Sequence, residues 1–168
     1  MSQFESTKLI DGFSACFRQH GATDTHCKFL HGYSISFEVT FTGQLDHRNW
    51  VMDFGFMKRS KEKIYYNNLL HGVPFLEYVT VDEWFKNLFD HTVIIASDDP
   101  EVELFHQLSK KRAIELRLLP DVGCEMFAKL VAETLDDFCR RETSDRVRVT
   151  QVKCFEHSKN SATFKNKV

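Results

Sequence analysis

Between Tyr33 and Thr42 apolar and polar residues alternate without interruption: Tyr33, Ile35, Phe37, Val39 and Phe41 against Ser34, Ser36, Glu38, Thr40 and Thr42. Period-two alternation of this length predicts an antiparallel strand with one buried face, and Gly43 ends it. A weaker alternation runs from Lys8 to Arg18, with Phe13, Ala15 and Phe17 on one face and Ser14, Cys16 and Arg18 on the other. A polar loop, Gln19 to Leu30, joins the two. Asp53 is placed to cap a helix over Lys58–Leu70, and a less regular passage follows around Gly72, Pro74 and Tyr78. Thr80-Val-Asp-Glu83 is a capping box that starts a short helix through Phe89. Asp99-Pro100-Glu101 marks another helix start, with proline at the first helical position. A long helix from Val122 to about Arg141, capped by Asp121, sets Phe127, Leu130, Val131, Leu135 and Phe138 on one stripe. Arg146 to Glu156 reads as a final strand. This order predicts an α+β chain, with helices on one face of an antiparallel sheet.

Composition narrows the class. The length of 168 residues fits a single domain over 1–168 with a sizeable core. Sixteen Phe against two Trp and four Tyr make that core or an interface rich in Phe rings. A formal charge of −2 without a long basic run asks for neither nucleic acid nor an anionic membrane. No stretch reaches the length of a membrane span, and the N-terminus lacks a signal-peptide pattern. Cys16, Cys27, Cys124, Cys139 and Cys154 are scattered without a CxxC pair, which predicts reduced thiols in a cytoplasmic protein. One of them has notable company. Cys27-Lys-Phe-Leu-His31-Gly-Tyr33 puts a thiol and an imidazole at the mouth of the alternating strand, although a free cysteine is more often a buried hydrophobe.

Taken in order, Phe13-Ser-Ala-Cys-Phe-Arg18, the Cys27-x-x-x-His31-Gly-Tyr33 turn, Asn49-Trp-Val-Met-Asp53-Phe54, Asp90-His91, Glu125 and Val152-Lys-Cys-Phe-Glu156 resemble the pterin synthases. These are the 6-pyruvoyl- and 6-carboxy-tetrahydropterin synthases. The resemblance covers about Phe13 to Phe164, apart from an extra stretch at about 58–83. It implies the tunnelling fold: an antiparallel four-stranded sheet with helices on one face, whose subunits close into a barrel as a homo-oligomer, a hexamer. It implies a lyase acting on dihydroneopterin triphosphate or a related pterin, giving a 6-carboxy or 6-pyruvoyl tetrahydropterin. The carboxy product would belong to a queuosine-type pathway and the pyruvoyl product to biopterin synthesis. Residue by residue, Cys27 stands where the family has the thiolate base, with Lys28, His26 and His31 close in sequence to favour the thiolate. Asp90 and His91 match the proton-relaying pair, and Glu125 and Glu156 the carboxylates that hold the pterin.

The departures matter as much as the matches. The family implies a zinc held by three histidines, and here two of those positions are Phe17 and Tyr33, leaving His31 alone. A catalytic zinc wants three protein ligands and an open position, so the substitutions count against the metal here. Cys16 should point to the opposite side of its strand, while His20 and His26 could approach from the loop. The family's Pro-Thr-x-Glu turn reads Val122-Gly123-Cys124-Glu125. Three functions stay open on these residues: the lyase, a non-catalytic pterin- or purine-binding member of the fold, and a structural oligomer without a ligand.

Overall fold

The computed structural model describes residues 3–59, 62–66 and 75–167, with backbone alone at 62–66 and 75–78. Its elements run β1 (Phe4–Phe17), a single 3-10 turn (His26–Lys28), β2 (His31–Gly43), α1 (Phe56–Arg59), β3 (Glu62–Tyr66), β4 (Phe75–Val79), α2 (Val81–Phe89), β5 (Thr92–Ala96), α3 (Val102–Lys110), β6 (Leu116–Leu119), α4 (Cys124–Thr143), β7 (Val147–Phe155) and β8 (Ser161–Lys165). The α+β class stands, but the sheet is not the expected four-stranded antiparallel one. It is mixed and six-stranded, in the order β6-β5-β1-β2-β7-β8, and β3 with β4 forms a separate pair. The chain divides into two compact units. The first holds Met1–Asp11, Ser36–Phe54 and Cys124–Val168; the second holds Gly12–Ile35 and Gly55–Gly123.

In the first unit the C-terminal part of β2 pairs antiparallel with β7, from Ser36↔Phe155 to Gly43↔Val147, and β8 adds antiparallel to β7. Phe37, Val39 and Phe41 are fully buried, as the alternation requires, together with Val147, Val149, Val152 and Cys154. The buried positions of β7 change phase between Val149 and Val152, where the register with β2 shifts at Thr40/Phe41. An extra residue at such a shift leaves backbone groups without ladder partners. Here Asn166 takes them up, its side-chain amide donating to the Val149 carbonyl at 2.6 Å and its N–H to the Thr150 carbonyl at 2.9 Å. Gly43 ends β2 because the Arg146 carbonyl would lie 2.4 Å from any Cβ there.

Helix α4 buries Phe127, Val131, Leu135 and Phe138 on the predicted stripe, while Leu130 is only half-buried. It starts at Cys124 rather than Val122, because Gly123 has φ +133°, outside the helical region. Asp136 interrupts the apolar face. Its carboxylate accepts from Arg148 Nε and Nη2, at 2.9 and 2.7 Å, and from the Val149 N–H at 2.8 Å.

In the second unit β5 runs parallel to β1 (Ala15↔Thr92 to Phe17↔Ile94), and β6 runs parallel to β5. Neither strand was expected. Both are short apolar runs without alternation, as strands covered on both faces are, and such runs carry no period-two signal. The capping box is present: Thr80 Oγ1 accepts from the Glu83 N–H at 3.2 Å, and Glu83 Oε2 accepts from the Thr80 N–H at 2.7 Å. Helix α2 then buries Trp84, Phe85, Leu88 and Phe89. Helix α3 begins at Val102, two residues beyond the predicted proline position, because the Asp99 carboxylate holds the Glu101 N–H at 2.8 Å.

The helix expected over Lys58–Leu70 is absent from its described part. Only Phe56–Arg59 is helical, and Glu62–Tyr66 is a strand paired with β4 (Glu62↔Val79 to Tyr66↔Phe75). Ile64, Tyr65 and Tyr66 favour a pleated strand, and cross-strand pairing outweighed the helical spacing. Asp53 is engaged by Arg48 Nη1 at 3.2 Å. Residues 67–70 of that expected helix, with Gly72 and Pro74, lie outside the described residues, while Tyr78 falls within β4.

Asp136→Ala would leave a buried backbone N–H without its acceptor and a guanidinium without its carboxylate. Urea denaturation should show a loss of about 3 kcal/mol, and Asp136→Asn, which keeps an acceptor, a smaller one.

Candidate active site

The site in the second unit is organised by the last turnless stretch of β1. Upstream, Ser6, Lys8 and Ile10 lean inward; downstream, Phe13, Ala15 and Phe17 do, so the alternation reverses at Gly12. Gly12 has φ +88°, a conformation that costs an L-residue about 1–2 kcal/mol. With the phase reset, Ser14 is exposed and its backbone is free to bond outward. Its N–H donates to Asp90 Oδ1 at 3.2 Å, and its carbonyl accepts from the His91 N–H at 2.7 Å. Asp90 also caps α2, its N–H reaching the Lys86 carbonyl. His91 sits at φ +57°, with its side chain 84% exposed and Nδ1 3.0 Å from Asp90 Oδ1. The carboxylate fixes the proton on Nδ1 and leaves Nε2 facing outward, the arrangement of an oriented general acid or base.

Cys27 lies half-buried in the 3-10 turn, whose cap is Thr25: Thr25 Oγ1 accepts from the Cys27 N–H at 3.2 Å. The Cys27 carbonyl accepts from the Gln19 N–H at 2.8 Å, closing the loop onto the end of β1. The expected helpers are turned elsewhere. Lys28 Nζ donates to the Thr23 carbonyl at 3.0 Å, and His31 Nδ1 is 2.8 Å from the Phe29 carbonyl. The loop leaves the sheet at Arg18, whose Nε and Nη2 donate to Asp99 at 2.8 and 2.5 Å. Burial pushes the Asp99 carboxyl up, but the Arg18 hydrogen bonds, the Glu101 N–H and the Arg18 and His20 charges together hold it below its ordinary value. Among the described residues no hydrogen bond or ion pair joins Cys27 to Asp90 or His91. Their backbone anchors, Gln19 and Ser14, stand five residues apart, up to about 17 Å along a strand.

At the expected metal positions the rings of Phe17 and Tyr33 stack with centroids 3.9 Å apart, and His31 lies 4.5 Å from Tyr33. Cys16 packs against the Val93, Ile95, Phe105, Leu116 and Leu118 cluster, and so points away from Phe17 as its strand position predicted. His20 faces Asp99 at 3.8 Å and Asp98 at 4.0 Å, while His26 stays exposed in the 3-10 turn. Among the described residues no group of three or more His, Cys, Asp or Glu side chains is placed to hold a metal ion. These residues do not fit a three-ligand zinc centre. Beside the stack, Gly12, Phe13, Ser14, Gly32, Tyr33 and Ser34 line an open groove of about 440 Å³.

The first unit carries the two glutamates. Glu125 is exposed in the first turn of α4, and Glu156 is half-buried just after β7, its N–H donating to the Asn160 carbonyl at 3.1 Å. Between the two lie the buried thiols of Cys124 and Cys154. A hydrogen bond from Cys124 is the largest cause pushing the Cys154 thiol up; burial and the charges of Cys124, Glu156 and Glu125 add to it. Both carboxylates therefore sense the same sulfur. Sequence reasoning placed Cys27, Asp90, His91, Glu125 and Glu156, but it missed the Ser14 backbone and the Arg18–Asp99 pair. Nothing local announces a partner eighty residues away, although Asp99 itself was legible as a helix start.

Because the folded state holds Asp99 below its ordinary value, the pair contributes stability above about pH 4 and loses it as pH falls through the folded value. Asp99→Asn should lower the melting temperature at pH 7 and flatten its decline in acid. Melting curves from pH 7 to 3 check this, and an acid limb identical to wild type would sink it.

Against this geometry, the family model for 6-pyruvoyl tetrahydropterin synthase matches residues 7–167. Among solved structures, an uncharacterized protein from Wolinella succinogenes is similar at 18% identity and TM-score 0.70, covering 99% of this chain and 100% of that one. The 6-pyruvoyl tetrahydropterin synthase of Caenorhabditis elegans is similar at 19% identity and TM-score 0.57, covering 99% and 98%. That of Plasmodium vivax gives 14% identity and TM-score 0.60 over 98% and 99%. At these identities the likeness carries the fold alone. No curated protein matches significantly by sequence. The family match runs nearly end to end over a shared α+β fold with a mixed six-stranded sheet, and the chain belongs to the 6-pyruvoyl tetrahydropterin synthase family.

Proposed function

We propose that this chain is a pterin synthase-like lyase that converts dihydroneopterin triphosphate, or a related pterin, to a 6-carboxy or 6-pyruvoyl tetrahydropterin. The observation that carries this reading is the Asp90–His91 pair, oriented at 3.0 Å and fastened to Ser14 within a chain of this family. In this reading the Cys27 thiolate takes a proton from the substrate's side-chain carbon. The electron pair left behind is redistributed as the triphosphate departs with the electrons of its C–O bond, and His91, held by Asp90, moves protons at the neighbouring carbon. Glu125 and Glu156 accept hydrogen bonds from the pterin ring N–H and amino groups.

The reading extends to a cytoplasmic homo-oligomer, a hexamer, and to the extra stretch at about 58–83 as interface packing. The distance between the anchors of Cys27 and His91 supports the oligomer, since two copies can bring together groups that one copy holds apart. Among the described residues no helix is long and apolar enough to cross a membrane. The stacked rings at the metal positions favour a second reading, a pterin-binding protein without turnover.

Incubation with dihydroneopterin triphosphate, with products identified by mass, separates the two. The lyase reading expects a tetrahydropterin and free triphosphate from wild type. Cys27→Ala should then abolish turnover, by at least about 100-fold, while leaving pterin binding intact. Glu125→Ala should weaken pterin binding by about tenfold or more. Unchanged turnover in Cys27→Ala would remove the thiol from the mechanism.

A further inference from the structure

Phe17 is fully buried at the end of β1, and Tyr33 stands near the start of β2. Their rings lie 3.9 Å apart and 12° from parallel, which is van der Waals contact with no room for an ion between them. His31 lies 4.5 Å from the Tyr33 ring, tilted by 37°. Its Nδ1 is 2.8 Å from the Phe29 carbonyl, an oxygen that only accepts, so Nδ1 carries the proton and is not a metal ligand in this geometry. The remaining donors nearby are committed elsewhere: Cys16 to an apolar cluster, and His20 to Asp98 and Asp99.

We infer that the Phe17–Tyr33–His31 ring stack takes the structural place of the family's metal centre, so that this chain folds and binds its ligand with no divalent ion. A metal at these positions would tie the end of β1 to the start of β2. The ring stack makes the same connection through dispersion and ring electrostatics, which a chelator does not touch. The clause about ligand binding rests on the pterin reading above; the clause about folding does not.

The test uses the full chain, purified without added metal and dialysed against EDTA. Zinc is counted by mass spectrometry, melting is followed with and without EDTA or zinc chloride, and neopterin is the binding probe. Wild type should retain fewer than about 0.1 zinc per chain, with its melting temperature and neopterin affinity unmoved by EDTA or zinc. Phe17→His with Tyr33→His, which joins two imidazoles to His31, should take up about one zinc per chain and gain a melting temperature that rises with zinc and falls with EDTA. Should that double variant fail to fold, single changes decide: Tyr33→Phe keeps the stack and should melt like wild type, whereas Tyr33→Ala should melt lower.

Stoichiometric zinc in wild type that His31→Ala removes, or a wild-type melting temperature that drops in EDTA, would overturn the inference. So would a Tyr33→Phe chain as unstable as Tyr33→Ala, since the phenol oxygen rather than the ring would then matter. A folded double variant that stays free of zinc would show that the stack does not occupy the metal position. Failure to bind neopterin with and without EDTA alike would count against the pterin reading alone, because zinc content and melting are read without it.

Discussion

The reversal of phase at Gly12 is the constraint on which the second unit depends. Without a residue at φ +88°, the inward set beginning at Ile10 would continue through Gly12, Ser14 and Cys16. Phe13, Ala15 and Phe17 would then face outward, and each feature of the site would lose its place. Ser14 would no longer offer its backbone to Asp90 and His91, and Phe17 would not meet Tyr33. A one-residue slip in a strand moves every side chain to the other face, so a single glycine governs both the relay pair and the ring stack.

The polar features are placed by the same economy of backbone. Ser14 contributes no side-chain chemistry in the bonds described here; it supplies one donor and one acceptor at the point where α2 ends and β5 is about to begin. Asp90 has two tasks, closing the helix and orienting an imidazole. His91 adopts a left-handed backbone to reach that position, a local cost of the kind that accumulates where a side chain must be aimed. Cys27 is held differently, through a Thr25 cap and a Gln19 bond that seal a polar loop onto the strand end. The chemistry expected of the family is thus divided among local devices, each stable without the others.

Elements with strong local signals were legible. The alternation from Tyr33 to Phe41, the Thr80–Glu83 capping box and the Phe127–Phe138 stripe each encode a period or a cap that neighbouring residues alone enforce. Those that failed were decided by partners distant in sequence. Thr92–Ala96 and Leu116–Leu119 are strands because parallel neighbours cover them, and Glu62–Tyr66 is a strand because Phe75–Val79 pairs with it. No periodicity within so few residues distinguishes those outcomes. The Asp136–Arg148 bond was equally invisible, since a carboxylate on an apolar stripe is explained only by the guanidinium that meets it.

For the site, the sequence by itself determined which chemistry is available. It supplied a thiol at Cys27, a carboxylate–imidazole neighbour pair at Asp90 and His91, glutamates at Glu125 and Glu156, and rings in place of two metal-binding histidines. Residue identity settles functional groups, and adjacent residues such as Asp90 and His91 meet through short-range geometry. Only the tertiary structure decided that Phe17 and Tyr33 stack on one another, that Arg18 closes on Asp99, and that Glu125 and Glu156 attend the same buried sulfur. Those contacts join segments separated by long stretches of chain, and their geometry follows from strand phase and pairing, which no local pattern contains.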